Sequence, residues 1–152
     1  MKFIPTLFTI LFTLGCSEMP TNNKNLTFQG NHLAVMVNNL DKTGDFYSKI
    51  LKIEEIDIES TGLSHRWFKL EDGFELHLVG SKEILPKKNQ NNHLAVQTDD
   101  INAIVVHLQK EKIEFSDWLG KRNKVQERFD GVLQIYLEDP EGNWIEINQK
   151  SK

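Results

Sequence analysis

The period of the apolar positions switches along this chain in an order that repeats. His32 to Val37 alternates and is rich in β-forming residues, the pattern of a strand. Leu40 to Leu51 carries Phe46, Tyr47, Ile50 and Leu51 at helical spacing, with Asp41 near the start as a cap candidate. Ile53 to Ile58 alternates isoleucine with acid, a third element of period two. His65–Leu70 and Phe74–Val79 read as two further strands joined by Glu71-Asp72-Gly73, a hairpin turn signal. The order is β-α-β-β-β.

After a polar connector from Ser81 to Asn92 the order starts again. His93 to Gln97 is a strand, and Asp99 and Asp100 cap a helix with Ile101, Ile104, Val105 and Leu108 on one face. Ile113–Phe115, Val132–Glu138 and Trp144–Asn148 complete the second set of strands, and Asp139-Pro140-Glu141-Gly142-Asn143 turns between the last two. Trp118 to Asp130 reads as a long loop, a length that is often functional. The pentapeptide Asn-His-Leu-Ala-Val opens both halves, and its histidines, His32 and His93, stand 61 residues apart. Residues 29–80 and 92–149 are therefore two copies of one module. Each module has one helix for three or four strands, so one sheet face is left uncovered. The predicted fold is α+β: two βαβββ modules in pseudo-twofold arrangement, forming an open barrel or cleft with helices outside.

Alternation sorts the chemistry. Leu33 and Val35 oppose His32; Leu94 and Val96 oppose His93; Leu76 and Leu78 share a face with Phe74, opposite Glu75 and His77. Ile145 and Ile147 oppose Trp144, Glu146 and Asn148, and Ile135 and Leu137 oppose Gln134 and Tyr136. Polar faces of this kind are costly to bury unless they bind something. Histidine with glutamate suits a divalent ion such as Zn, Ni, Co, Mn or Fe(II). The candidate ligands are His32, Glu75, His77, His93 and Glu146, and the register of a short strand leaves Glu75 and His77 as alternatives. Arg66, Trp67, Trp118, Arg122, Arg128 and Tyr136 are candidates for the substrate mouth, arginine being suited to a carboxylate or phosphate.

The repeated module, the His-x-Ala-Val strand starts, Phe46-Tyr47 on the first helix and the run Asp139-Pro140-Glu141-Gly142-Asn143-Trp144-Ile145-Glu146 resemble the vicinal oxygen chelate superfamily over about residues 29–149. Glyoxalase I, fosfomycin and bleomycin resistance proteins, methylmalonyl-CoA epimerase and extradiol dioxygenases belong to it. The resemblance implies metal ligands at His32, His93 and Glu146, with Glu75 at a fourth position and His77 as its alternative. It implies catalysis by Glu146 as base, with Glu75 as its pseudo-symmetric partner. The expected activity is proton transfer, isomerisation or lysis on a small oxygen-chelating substrate. The alternatives are Fe(II) extradiol-type oxygen chemistry and a non-catalytic, antibiotic-binding protein. Two modules in one chain permit a monomer and also a homodimer.

Composition adds two things. The chain has 152 residues, 26% of them charged, with a net charge of -4 and no basic stripe, which excludes nucleic acid as an expected partner. Its start is not part of the domain. Lys2 precedes a mostly apolar run from Phe3 to Leu14, too short to span a bilayer, and Gly15-Cys16 follows. Residues 1–16 resemble a bacterial lipoprotein signal, with Thr13 where such signals carry leucine. The expectation is export, a lipid anchor on Cys16 that holds the protein to a membrane in the periplasm or at the cell surface, and a flexible tether over residues 17–28.

Overall fold

A computed structural model describes residues 27–58 and 64–151. The expected leader, Cys16 and nearly all of the tether lie outside these residues.

The first module contains β1 (His32–Val37), α1 (Leu40–Asp45), β2 (Glu54–Ile56), β3 (His65–Lys69) and β4 (Glu75–Gly80). The second contains β5 (His93–Thr98), α2 (Ile101–Lys110), β6 (Gln126–Glu127), β7 (Leu133–Glu138) and β8 (Trp144–Gln149). Each module makes its own four-stranded mixed sheet, in the orders β1-β4-β3-β2 and β5-β8-β7-β6. The parallel pair in each sheet joins the first and last strands of the module. The helix between them supplies the crossover that a parallel pair requires. The two βαβββ modules are present as expected, and among the described residues they form two separate sheets rather than a closed barrel.

Three local expectations change. Asn39, not Asp41, caps α1, its side chain accepting from the Lys42 amide at 2.9 Å. The helix then widens into a π turn over Phe46–Ile50, where the Leu51 amide reaches back to the Phe46 carbonyl at 3.0 Å. That wider turn buries both Phe46 and Tyr47. The second strand of the second module is Gln126–Glu127, within the segment expected to be loop, and not Ile113–Phe115. Ser116 instead makes an isolated bridge to Tyr136. The second helix starts as expected, with the Asp100 carboxylate accepting from the Ala103 amide at 3.0 Å.

The aliphatic faces of both sheets converge. Val37, Phe68, Leu76 and Leu78 from one module and Ile101, Leu108, Ile135, Ile145 and Ile147 from the other belong to a single buried cluster. Each such side chain contributes about 1.5–3 kcal/mol when fully buried. Polar contacts lock the modules over this core. The Tyr47 hydroxyl donates to Asp139 at 3.2 Å, the Asn39 amide donates to Glu141 at 2.9 Å, and the His107 ring meets the Ile50 carbonyl at 2.7 Å. His107, unremarkable in sequence on an amphipathic helix, is thus part of the joint. Asp139 also accepts from the amides of Glu141 and Asn143, both at 2.8 Å, so the turn before β8 and the joint share one carboxylate. Burial, then its contact with Asp139, pushes the Tyr47 hydroxyl well above its ordinary pKa, and it stays a donor.

Candidate functional site

Register decides which positions in the two halves are equivalent. In the second sheet Ala95 pairs with Glu146, and Glu146 pairs with Tyr136. In the first sheet Ala34 pairs with His77, and His77 pairs with Trp67. His93 and His32 each stand two residues before those alanines. The matching sets are therefore His93, Glu146, Tyr136 and His32, His77, Trp67. The expected symmetry of Glu146 with Glu75 is shifted by two residues: Glu75 pairs with His32, as Trp144 pairs with His93. A two-residue slip keeps a side chain on the same face, so alternation alone does not detect it.

The second-module set is built around a buried carboxylate, Glu146, only 7% exposed. Its Oε2 accepts from the Tyr136 hydroxyl at 2.5 Å and faces His93 Nε2 at 3.1 Å. Its Oε1 accepts from the Asn148 amide at 2.6 Å, and Arg128 Nη1 stands 3.9 Å away. Burial, then the hydrogen bond to Glu146, raises the Tyr136 hydroxyl above its ordinary pKa, so it remains the donor of that bond. His93 Nδ1 lies 2.7 Å from the Gln90 carbonyl. A carbonyl only accepts, so Nδ1 carries the hydrogen and a neutral ring turns the Nε2 lone pair toward Glu146. At 3.1 Å the contact is met either by a proton on Nε2, as an imidazolium–carboxylate pair, or by a cation that both groups bind. A histidine fixed through its far nitrogen, beside a carboxylate held by further donors, is also the supporting arrangement of a protein metal ligand. His93 and Glu146 thus offer two donors of the kinds a divalent ion takes, an imidazole nitrogen and a carboxylate oxygen.

The long loop and β6 cover this face. Trp118 packs edge-on to Tyr136 with ring centroids 5.5 Å apart and remains 38% exposed. Arg128 is shared between Asp130, Asn148 and Glu146. Gln134, buried at 3% exposure, shares the face. Asn148 and Gln90 hold Glu146 and His93; the sequence places Asn148 on the polar face without a role and gives no sign of Gln90. Asn148 was detectable, lying two residues beyond Glu146 on the same strand face. Gln90 acts through its main chain, which no residue type reveals.

The first-module set is flatter. His77 stacks on Trp67 with centroids 3.6 Å apart and on His32 with centroids 4.4 Å apart, while its Nε2 meets Glu75 Oε2 at 2.8 Å. His32 Nδ1 lies 2.6 Å from the Asn31 side-chain oxygen. Arg66 does not join this face. Its neighbour Trp67 points to His77, so alternation turns Arg66 toward α1. There it is held by both Glu55 oxygens at 2.6 Å, by Asp45 at 3.1 Å and by the Asp41 carbonyl at 3.0 Å. A Cβ on Gly44 would stand 2.3 Å from the guanidinium, so Gly44 leaves its passage open. These carboxylates, Glu55 foremost, keep Arg66 charged and tie it to α1 and β2, on the side of the sheet away from the histidine face. Arg122 pairs with Glu114 at the surface. A cleft of about 520 Å³ opens at the β2–β3 edge; Arg66 and Glu55 line it, and it touches the histidine face through His65 and Trp67.

Among the described residues no three His, Cys, Asp or Glu side chains come together as one metal-binding group. The His93–Glu146 pair and the stacked His32 and His77 beside Glu75 therefore do not form one ion-binding group among the described residues of a single chain.

The family model described as Glyoxalase/Bleomycin resistance protein/Dioxygenase superfamily matches residues 29–147. "Uncharacterized protein YwbC" of Bacillus subtilis (strain 168) is 29% identical over 125 residues, covering 78% of this chain and 95% of its own. "Glyoxylase I 4" of Arabidopsis thaliana is 28% identical over 124 residues, covering 77% of this chain and 68% of its own. In structure, a protein from Bacillus anthracis described as of the glyoxalase family superposes with a TM-score of 0.69 at 22% identity, over 84% of this chain and 99% of that one. That likeness is one of fold.

Proposed function

The chain belongs to the Glyoxalase/Bleomycin resistance protein/Dioxygenase superfamily, and from that premise we propose that it is a metal-dependent enzyme moving a proton on a small substrate with adjacent oxygens. One observation carries the reading. His93 Nε2 faces Glu146 Oε2 at 3.1 Å, with the ring tethered at Gln90 and the carboxylate held by Tyr136 and Asn148. His93, Glu146 and His32 would hold the ion. Bound there, a divalent ion supplies a Lewis acid that draws electron density onto the substrate oxygens. Glu146 takes the proton from the substrate carbon; the C–H electron pair forms a C=C bond as the carbonyl pair moves onto oxygen, and the same carboxyl returns the proton to the neighbouring carbon as those pairs move back. Tyr136 and Asn148 keep both carboxylate oxygens aimed throughout. Arg128, partly neutralised by Asp130, favours an anionic substrate, and Trp118 offers an aromatic wall at the mouth.

That the two sets do not form one ion-binding group among the described residues of a single chain supports a site completed by a second copy, the first module of one chain meeting the second module of another. Mixing chains tests this. His32→Ala and Glu146→Gln chains each lose metal alone, and an equimolar mixture recovers one intact site in the mixed pair. No recovery, with native mass spectrometry reporting the mixed dimer, dismisses the shared site. Metal analysis of the unaltered chain showing far less than one ion per site, unchanged by His93→Ala, dismisses the enzyme.

Export on a Cys16 anchor belongs to the same reading. An oxidising compartment is poor in free thiols, which argues for a substrate other than a thiol hemithioacetal. Metabolic labelling with palmitate that Cys16→Ser abolishes is the expected result; equal labelling of both forms dismisses the anchor.

A further inference from the structure

Register puts His77 where the second module has Glu146. It is therefore the natural fourth donor for an ion held by His32, His93 and Glu146. The orientation of its ring argues against that role. His77 lies 10° from the plane of Trp67 on one side and 11° from the plane of His32 on the other. An imidazole nitrogen binds metal along its lone pair, in the ring plane, at about 2.1 Å. Two stacked rings have nearly parallel planes, so one ion cannot sit in both at that distance. His77 Nε2 is moreover engaged by Glu75 at 2.8 Å.

We infer that His77 is a positioning residue whose ring face orients His32, with Glu75 and Trp67 fixing His77 in turn. The inference rests on the reading above that His32 is a metal ligand. It explains why the two halves hold their histidines differently. His93 is tied to a main-chain carbonyl, that of Gln90, at 2.7 Å. His32 stands exposed at the start of β1 and is tied only to the side chain of the residue before it, Asn31. A side-chain tether on an exposed strand end leaves the ring free to turn, and the stack removes that freedom. Glu75 then acts two steps from the ion, and the first module gives the metal one donor. Two histidines and one carboxylate leave positions open for two substrate oxygens.

Cobalt(II) titration of the full chain, followed by its visible absorption, tests the assignment. His77→Phe keeps a flat face and removes the donor; His77→Tyr does the same should the phenylalanine variant fold poorly. Either is expected to keep one cobalt per site, an unchanged spectrum and an affinity within about threefold of the parent. His77→Ala, which releases the His32 ring, is expected to lose about 10–100-fold. The imidazole resonances of His32 give a second, metal-independent readout: ring-current shifts persist in His77→Phe and vanish in His77→Ala. Loss of cobalt in His77→Phe equal to that in His32→Ala, or a spectrum showing one ligand fewer, overturns the inference while leaving the metal reading standing. A parent chain that takes up no cobalt overturns the metal reading, and the positioning role with it.

Discussion

The two modules share a backbone plan and an opening pentapeptide, yet they use equivalent positions for different physics. The second module spends its three positions on a hydrogen-bonded set, in which Tyr136 and His93 converge on the buried Glu146. The first spends the same three on a stack of flat rings, Trp67, His77 and His32. A charged group in a buried place has to be met by donors, and the second module supplies them from Tyr136 and Asn148. The first module needs no such donors for its stack and uses its one nearby carboxylate, Glu75, to fix an imidazole. Duplication thus gave two equal frames, and among the described residues the second is the one built around a buried carboxylate.

Breaking the second module's set should cost most. His93→Ala is expected to lower metal affinity by at least about 100-fold, beyond the 10–100-fold that supporting residues contribute. Isothermal titration with Zn(II) measures it, and a change under threefold would place the ion elsewhere. The joint between modules comes next. Asp139→Ala strips the partner from the buried Tyr47 hydroxyl and from two turn amides. Unfolding in urea should show a loss of about 2–4 kcal/mol, whereas Tyr47→Phe should lose about 1 kcal/mol. Equal losses would mean that Asp139 acts through the Tyr47 link alone and that the turn amides do not need it. Tyr136→Phe removes one of the donors to Glu146, so an affinity loss of about tenfold is expected, with a stability loss of no more than about 1.5–3 kcal/mol, that of one hydrogen bond to a charged group.

The smallest effect separates the modules by pH. Lys49, then Arg66, lower the Asp45 carboxyl, while Lys124 lowers Asp117 and Arg128 lowers Asp130. A lowered folded-state pKa gives stability that is present above the ordinary value of about 3.9 and lost as pH falls through the lowered one. The urea midpoint should therefore be flat at neutral pH and fall only in acid below about pH 4. Asp45→Asn should reduce that acid slope from the first module and leave the affinity of the second for metal unchanged. A slope already present near pH 6 would point to histidines instead.

Much of this fold was legible in the chain. Periods of two and of three to four residues located most strands and both helices, because a half-buried strand and an amphipathic helix must alternate at those periods whatever surrounds them. The repeated Asn-His-Leu-Ala-Val established the duplication. The faces also came out correctly for His32, Glu75, His77, His93 and Glu146, since alternation is a property of the local backbone. The short strand Gln126–Glu127 did not, because two residues carry no period and pair only where β7 offers an edge.

What the sequence determined by itself is therefore local: two modules, their helices and turns, and which side chains share a sheet face. The tertiary structure alone decided that His77 and not Glu75 is the counterpart of Glu146, that Arg66 turns to the helix and is spent on Glu55 and Asp45, and that the two histidine sets of one chain do not form one ion-binding group among the described residues. Pairing register, partner choice and the side on which two sheets meet depend on contacts between residues distant in sequence. A period-two pattern is unchanged by a slip of two residues, so it is blind to them.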